Sequence, residues 1–79
     1  MSQKKVTVYT TNHCAFCVII KDYLKSKNVE FNEKNVEENE EYAKELVDKS
    51  QQFGVPVIEI DDQIVIGADK NKVDELLAK

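Results

Sequence analysis

The spacing of apolar residues changes twice within the first 35 residues, and this change constrains the fold more than any other feature. Residues 5–10 alternate β-branched or aromatic residues with polar ones, which predicts a strand. From residue 15 to residue 27 apolar side chains recur every four residues, which predicts a helix. The apolar stripe of this helix is formed by Phe16, Ile20 and Leu24. Residues 29–35 alternate again, so the sequence predicts a strand, a crossover helix and a second strand.

The second half of the chain predicts a helix, a hairpin and a last helix. Residues 38–51 carry their apolar side chains on one helical face. Residues 56–60 and 63–67 are rich in β-branched residues and stand two residues apart, which is the length of a tight hairpin. Asp69 is expected to cap the last helix. The predicted order of elements is therefore β-α-β-α-β-β-α.

Acidic residues crowd the expected start of the second helix. They are Glu37, Glu38, Glu40 and Glu41. The positive end of a helix dipole favours negative charge in the first turn. We therefore interpret this run as a solvated helix start, and not as a site for a metal or a partner.

Size and charge limit the classes of function. The 79 residues are 42% hydrophobic and 33% charged, which suits one compact domain over residues 1–79, near the lower size limit for a self-sufficient core. The formal net charge of -4 argues against nucleic-acid and anionic-membrane partners, because phosphate binding needs a cationic face. No stretch has the length of a signal peptide or a membrane span, so we expect a soluble cytoplasmic protein. In that compartment a close cysteine pair is more often catalytic or metal-binding than a permanent bridge.

Two cysteines, Cys14 and Cys17, stand at the junction of the first strand and the first helix. The sulfur of Cys14 is expected to face the unpaired N–H groups and the positive dipole end of that helix, which stabilise a thiolate over a thiol. Cys17 follows one helical turn later on the same face, so its sulfur can reach a mixed disulfide formed at Cys14. This arrangement favours a redox-active pair.

A structural staple and a zinc site are two other interpretations of the pair. A structural staple across four residues removes only roughly 1.9 kcal/mol of chain entropy, against about 3 kcal/mol for a fifteen-residue loop. A structural zinc site normally needs four Cys or His ligands, and His13 is the only further candidate. The sequence therefore favours redox chemistry, and leaves a metal site and an inert pair as alternatives.

Three motifs, "VTVYTTNHCAFC", "GVPVIEIDD" and "VIGADKNKVDELL", occur in this order along the chain. Together they resemble a glutaredoxin in length, element order and spacing. The resemblance implies a thioredoxin-like α/β fold with a four-stranded mixed sheet flanked by three helices, and it implies that Cys14 and Cys17 are catalytic. It also implies a cis peptide bond between Val55 and Pro56, whose backbone pairs with a substrate beside Cys14. The alternative is a trans proline that opens an edge strand.

The chain departs from the family pattern on both sides of the first cysteine. Ala15 replaces a proline that usually follows the attacking cysteine, which is expected to loosen the loop and to shift the reduction potential. Thr11 stands where many members carry a lysine for the glycine carboxylate of glutathione. Thr11 can donate a hydrogen bond but brings no charge, so glutathione affinity is expected to be reduced.

A second partial match concerns the stretch that binds the γ-glutamyl end of glutathione in the family. Gly67, Ala68 and Asp69 fit it, whereas Ile66 and Lys70 replace a glycine and an aspartate. The N–H groups of Ala68 and Asp69 are expected to offer a carboxylate site. The alternative is that Gly67 simply ends a strand and Asp69 simply caps a helix.

Two further residues near the cysteines have open roles. His13 either supports the Cys14 thiolate as an imidazolium or is merely solvated, and we favour the second interpretation. Phe16 either contacts substrates or belongs to the core stripe, which its spacing does not decide.

The favoured function is a dithiol glutaredoxin that reduces protein disulfides and glutathione mixed disulfides, with glutathione as electron donor, no bound cofactor and a monomeric state. The first alternative keeps this chemistry but uses thioredoxin reductase as donor. The second is an iron–sulfur carrier, in which Cys14 of two chains and two glutathione thiols hold one cluster, because one chain lacks four thiolates.

Overall fold

The computed structural model describes residues 5–52 and 54–78. Its elements are β1 (Val6–Thr10), α1 (Ala15–Ser26), β2 (Asn32–Asn35), α2 (Glu40–Ser50), β3 (Val57–Ile60), β4 (Gln63–Ile66) and α3 (Lys70–Leu77). The strands form one sheet in the order β2-β1-β3-β4. β1 runs parallel to β2 and antiparallel to β3, and β3 runs antiparallel to β4. The predicted four-stranded mixed sheet with three helices is confirmed.

β1 is buried along its whole length because helices cover both faces of the sheet. One face, which includes Val6 and Val8, packs against apolar side chains of α1 and α3. The other face packs Tyr9 with Leu46 of α2 and Val57 of β3. The alternation of side chains along a strand thus distributes β1 between two core clusters.

β2 is a polar edge strand that ion pairs fasten to both layers of helices. On one face Lys21 of α1 lies 2.8 Å from the carboxylate of Glu33. On the other face Lys34 lies 2.7 Å from the carboxylate of Glu45 in α2. Charged side chains on an edge strand also discourage pairing with other chains.

The boundaries of β2 and α2 differ from the prediction. β2 begins at Asn32, and the apolar Val29 and Phe31 pack against the core from the connection before it. α2 begins at Glu40, because Asn39 is its N-cap and accepts a hydrogen bond of 2.9 Å from the N–H of Glu41. Since α2 starts after Asn39, Glu37 and Glu38 lie outside the helix, and the expectation that they belong to its first turn is wrong.

The apolar stripe of α1 also differs from the prediction. Its buried residues are Cys17, Ile20 and Leu24. Phe16 is 63% exposed; it lies in the first turn of α1, about 100° around the helix from the buried Cys17. The interpretation of Phe16 as a core residue is wrong.

The described part of the chain shows whether any helix could cross a membrane. No helix within residues 5–52 and 54–78 combines the length and the apolar character that a bilayer crossing requires.

The Glu33 ion pair predicts a pH-dependent stability. The hydrogen bond from Lys21, offset in part by burial and helped by the Thr10 hydroxyl, holds the pKa of the Glu33 carboxyl below its ordinary value. A lowered folded-state pKa stabilises the fold above the unfolded-state pKa of about 4.3, and this contribution is lost as the pH falls through the folded-state pKa. Between pH 7 and pH 3, we expect the free energy of unfolding to fall by about 0.5 kcal/mol less in Glu33→Gln than in the wild type. The difference is small because the pair is partly exposed. Urea unfolding at both pH values measures this difference.

Glu30→Gln is the matched control for this experiment. Glu30 is exposed and has no side-chain partner among the described residues. Its substitution should leave the acid-dependent loss unchanged. Equal losses in wild type and Glu33→Gln would show that the ion pair does not contribute to stability.

Candidate active site

The predicted site residues meet at one edge of the sheet. Tyr9 near the end of β1 pairs with Val57 at the start of β3, and Val57 pairs with Ile66 at the end of β4. The loop after β1, the segment before β3 and the turn after β4 therefore lie side by side. The N–H of Gly67 donates to the carbonyl of Pro56 at 2.8 Å and ties two of them together.

Cys14 is the N-cap of α1, as its position in the sequence predicts. Its backbone is extended, with φ -133 and ψ 102, so its side chain turns back toward the first helical turn. The N–H of Cys17 donates to the Cys14 sulfur at 3.1 Å. An N-cap sulfur that accepts this hydrogen bond at the positive end of a helix dipole is favoured as an anion.

The two sulfurs differ in exposure. Cys14 is partly exposed, whereas Cys17 is 1% exposed and belongs to the buried face of α1. Their Cα atoms are 5.2 Å apart and the sulfurs form a disulfide. A reagent from solvent therefore reacts with Cys14 first. The buried Cys17 sulfur can still reach the Cys14 sulfur, since the two form a disulfide.

Metal binding has no support from the geometry of the described residues. Within residues 5–52 and 54–78, no group of three or more His, Cys, Asp or Glu side chains is arranged to hold an ion. His13, the remaining candidate ligand, is exposed on the loop before Cys14.

The peptide bond between Val55 and Pro56 is cis, which confirms the expectation from the family resemblance. Pro56 is fully buried, and Val55 packs against the core cluster around Tyr9 and Leu46. Pro56 directly precedes β3, whose first residue is opposite Tyr9 of β1. This backbone is thus positioned at the same sheet edge as the loop that carries Cys14.

The turn after β4 has a clear structural role. Gly67 has φ +84, a left-handed conformation that suits glycine because it lacks Cβ. Asp69 is the N-cap of α3, and its carboxylate accepts a hydrogen bond of 3.1 Å from the N–H of Lys72. Ala68 packs against the main core cluster. The capping role of Asp69 is confirmed, and the use of this turn as a carboxylate site stays a prediction.

The remaining predicted residues lie near Cys14 in the chain and are at least partly exposed. Thr11 is partly exposed and His13 is exposed. Phe16 adds an exposed ring, and further exposed apolar side chains are Val18, Ile19 and Ile66. The exposure of Phe16 favours its interpretation as a contact for substrates.

Three residues that the sequence did not single out as site residues hold the loop before Cys14. The N–H of Asn12 donates to the carboxylate of Glu37 at 2.9 Å. The side chain of Asn35 bonds both to the Asn12 side chain at 2.8 Å and to the N–H of Glu37 at 2.9 Å. Glu37 is therefore not simply a solvated charge. Asn residues next to strand ends are a signal for such turns, since their side chains readily bond to nearby backbone.

Comparisons with known proteins agree with this geometry. The family model "Glutaredoxin" matches residues 6–65. A glutaredoxin-like 8.6 kDa protein in the rubredoxin operon of Clostridium pasteurianum is 40% identical over 74 residues, which cover 94% of this chain and 99% of that protein.

Two solved structures show the same fold. The crystal structure of the thioredoxin-like protein BC3987 has a TM-score of 0.88 and 33% identity, over 92% of this chain and all of the other. The NrdH-redoxin of Escherichia coli, a glutaredoxin-like protein with a thioredoxin-like activity profile, has a TM-score of 0.79 and 27% identity, over 91% of this chain and 93% of the other. The thioredoxin-like fold predicted from the sequence is thereby confirmed.

The N-cap position of Cys14 predicts an acidic, reactive thiol in the reduced protein. We expect the rate of its alkylation by iodoacetamide to follow an apparent pKa below the roughly 8.5 of a free cysteine, because the Cys17 N–H and the helix dipole stabilise the thiolate. The rate is measured against pH by mass spectrometry of the labelled peptide. The same measurement in denaturant is the control and should return the free-cysteine value. A folded protein that titrates like the denatured one would contradict the assignment.

Proposed function

The chain belongs to the glutaredoxin family and is a thiol–disulfide oxidoreductase, and on this premise we propose that Cys14 is its attacking sulfur and Cys17 its resolving sulfur. The observation that carries the proposal is the asymmetry of the pair. Cys14 is partly exposed and accepts the Cys17 N–H, whereas the Cys17 sulfur is buried behind it.

The reaction is two consecutive thiol–disulfide exchanges. The Cys14 thiolate attacks one sulfur of a substrate disulfide, and the substrate disulfide breaks to give a mixed disulfide and a substrate thiolate, which takes up a proton. The Cys17 thiol then gives up its proton and attacks the Cys14 sulfur. This step forms the Cys14–Cys17 disulfide and releases the second substrate thiol. The substrate gains the two electrons that the cysteine pair loses.

The neighbouring segments supply binding for the substrate. We assign the backbone of Val55, before the cis Pro56, to pairing with an extended substrate chain, because this segment borders the loop of Cys14. Phe16 is 63% exposed in the first turn of α1, and it offers an apolar contact to substrate side chains. We assign polar contacts with the substrate to Thr11 and His13, which are at least partly exposed on the loop before Cys14.

Glutathione is the proposed electron donor, with glutathione mixed disulfides as a second class of substrate. One glutathione thiolate opens the Cys14–Cys17 disulfide, and a second releases oxidised glutathione. The N–H groups of Ala68 and Asp69, at the start of α3, are the proposed site for the γ-glutamyl carboxylate. Among the described residues, no atom beyond Gly67 and its two chain neighbours lies within 4 Å of the position that a Cβ would take at Gly67, so a glutathione carboxylate can approach the backbone there. The left-handed φ of Gly67 suits a glycine.

A specific observation favours a second donor, thioredoxin reductase. Thr11 brings no charge for a glutathione carboxylate, and Ile66 and Lys70 interrupt the γ-glutamyl stretch. The similar NrdH-redoxin of Escherichia coli carries a thioredoxin-like activity profile. In this case the reductase donates its two electrons by exchange with the same disulfide.

The remaining features of the proposal concern the state of the protein. We propose one domain over residues 1–79 that acts as a cytoplasmic monomer without a resident cofactor. The iron–sulfur carrier, with Cys14 from two chains and two glutathione thiols as ligands, is the alternative to this state. Visible absorbance together with dimerisation after anaerobic purification would support the carrier.

The two cysteines are expected to respond differently to substitution. Cys14→Ser should abolish turnover with every disulfide, because it removes the attacking thiolate. Cys17→Ser should keep deglutathionylation, since glutathione can resolve the mixed disulfide directly, but should lose dithiol reduction of a protein disulfide. Steady-state assays with a glutathionylated peptide and with a protein disulfide measure both activities. Equal loss in the two variants would contradict the assigned roles.

The electron donor is tested by reconstitution. We expect turnover of a protein disulfide with NADPH, glutathione reductase and glutathione to exceed turnover with NADPH and thioredoxin reductase at equal enzyme concentration. Cys14→Ser is the control for background reduction in both systems. Faster turnover with thioredoxin reductase would assign the second donor to this protein.

A further inference from the structure

Asn12, Asn35 and Glu37 form a network of backbone and side-chain hydrogen bonds that we name the loop clasp. It contains three bonds of 2.8 to 2.9 Å, in which Glu37 accepts the Asn12 N–H and Asn35 bridges the two residues. The clasp joins the loop after β1 to the turn after β2, which are 25 residues apart in the chain. It therefore holds the loop from the side opposite to the cis Pro56 segment in the sheet order.

The loop clasp ends two positions before Cys14 in the chain. Only His13 separates Asn12 from Cys14, and His13 is exposed and offers no packing that would fix the chain. Before Asn12, the Thr10 carbonyl is held by the N–H of Val36 at 2.9 Å. Because only two peptide units connect the Asn12 and Cys14 Cα atoms, the position of Asn12 limits where Cys14 can lie. The bond between the Cys17 N–H and the Cys14 sulfur, at 3.1 Å, depends on where Cys14 lies.

We propose that Glu37 is a positioning residue for the attacking sulfur, because its bond to the Asn12 N–H holds the loop in the conformation that presents Cys14 to the Cys17 N–H. The inference rests on the proposed role of Cys14 as the attacking sulfur. The bond to Glu37 restrains the chain before Cys14, whereas Ala15, directly after Cys14, lacks the fixed φ of the family's usual proline.

The carboxylate of Glu37 has a second, opposite effect on the thiolate. A negative charge near the site disfavours a second negative charge on Cys14. The hydrogen bond and the charge therefore act in opposite directions on the ionisation of Cys14. Glutamine separates them, since its side-chain oxygen can still accept the Asn12 N–H but carries no charge.

The experiment compares Glu37→Gln with Glu37→Ala in the reduced full-length chain. Both variants remove the same charge, so the difference between them reports the hydrogen bond. We expect Cys14 in Glu37→Ala to titrate roughly 0.5 to 1 pH unit above Cys14 in Glu37→Gln, measured by alkylation against pH. We expect kcat/KM for a protein disulfide to be about fivefold lower in Glu37→Ala than in Glu37→Gln, the equivalent of one hydrogen bond.

Glu38 provides the matched control. It follows Glu37 directly, is exposed, and its side chain has no partner among residues 5–52 and 54–78. Glu38→Gln and Glu38→Ala should titrate alike and react alike. A gap between these two as large as the gap at Glu37 would overturn the proposal.

A structural role alone would give a different result. If Glu37→Ala lowers the thermal unfolding midpoint but titrates at Cys14 like Glu37→Gln, Glu37 supports the fold and not the sulfur, and the proposal is wrong. Asn35→Ala keeps all charges and removes the other two bonds of the clasp, so it serves if Glu37→Ala does not fold. Its Cys14 should titrate above the wild type, and an unchanged titration would overturn the proposal.

Failure of the proposed function gives a distinct signature. In that case the wild type itself titrates at Cys14 like a free cysteine. A wild type with a low titration and indistinguishable Gln and Ala variants at position 37 would reject only the inference about Glu37.

Discussion

The burial of β1 on both faces is the constraint on which the rest of the structure depends. All five residues of Val6–Thr10 are buried, and a buried strand must satisfy its backbone groups through neighbouring strands on both edges. β2 on one edge and β3 on the other fix where β1 ends. The end of β1 in turn fixes the loop that carries Cys14, so the packing of the core determines the location of the sulfur.

The chemistry follows from the way α1 begins at this loop. A helix start supplies N–H groups without partners, and here one of them is bonded to the Cys14 sulfur. The same helix directs Cys17 toward the core, because residues three apart lie on nearly the same side of a helix. The start of α1 therefore leaves the Cys14 sulfur accessible to solvent and stabilises its negative charge, and it buries the Cys17 sulfur.

Much of the fold and of the site was predictable from local patterns. The element order follows from apolar spacing, the cap at Asp69 follows from its residue type, and the place of Cys14 follows from the junction of strand and helix. The prediction for Phe16 failed because both Phe16 and Cys17 fit a stripe with Ile20 and Leu24, and only the tertiary structure shows that Cys17 is the buried one. The prediction for Glu37 failed because its partner, the Asn12 N–H, is distant in sequence.

The sequence by itself determined the chemistry available to this protein. The two cysteines at a strand–helix junction and the threonine, in place of a lysine, at position 11 are local properties, so they can be read along the chain. Only the tertiary structure decided which groups surround the sulfur. Pro56, Gly67 and the loop clasp are brought to the end of β1, where the loop of Cys14 begins, by strand pairing and by hydrogen bonds between distant segments. Such contacts depend on the register of the whole sheet, which no local pattern specifies.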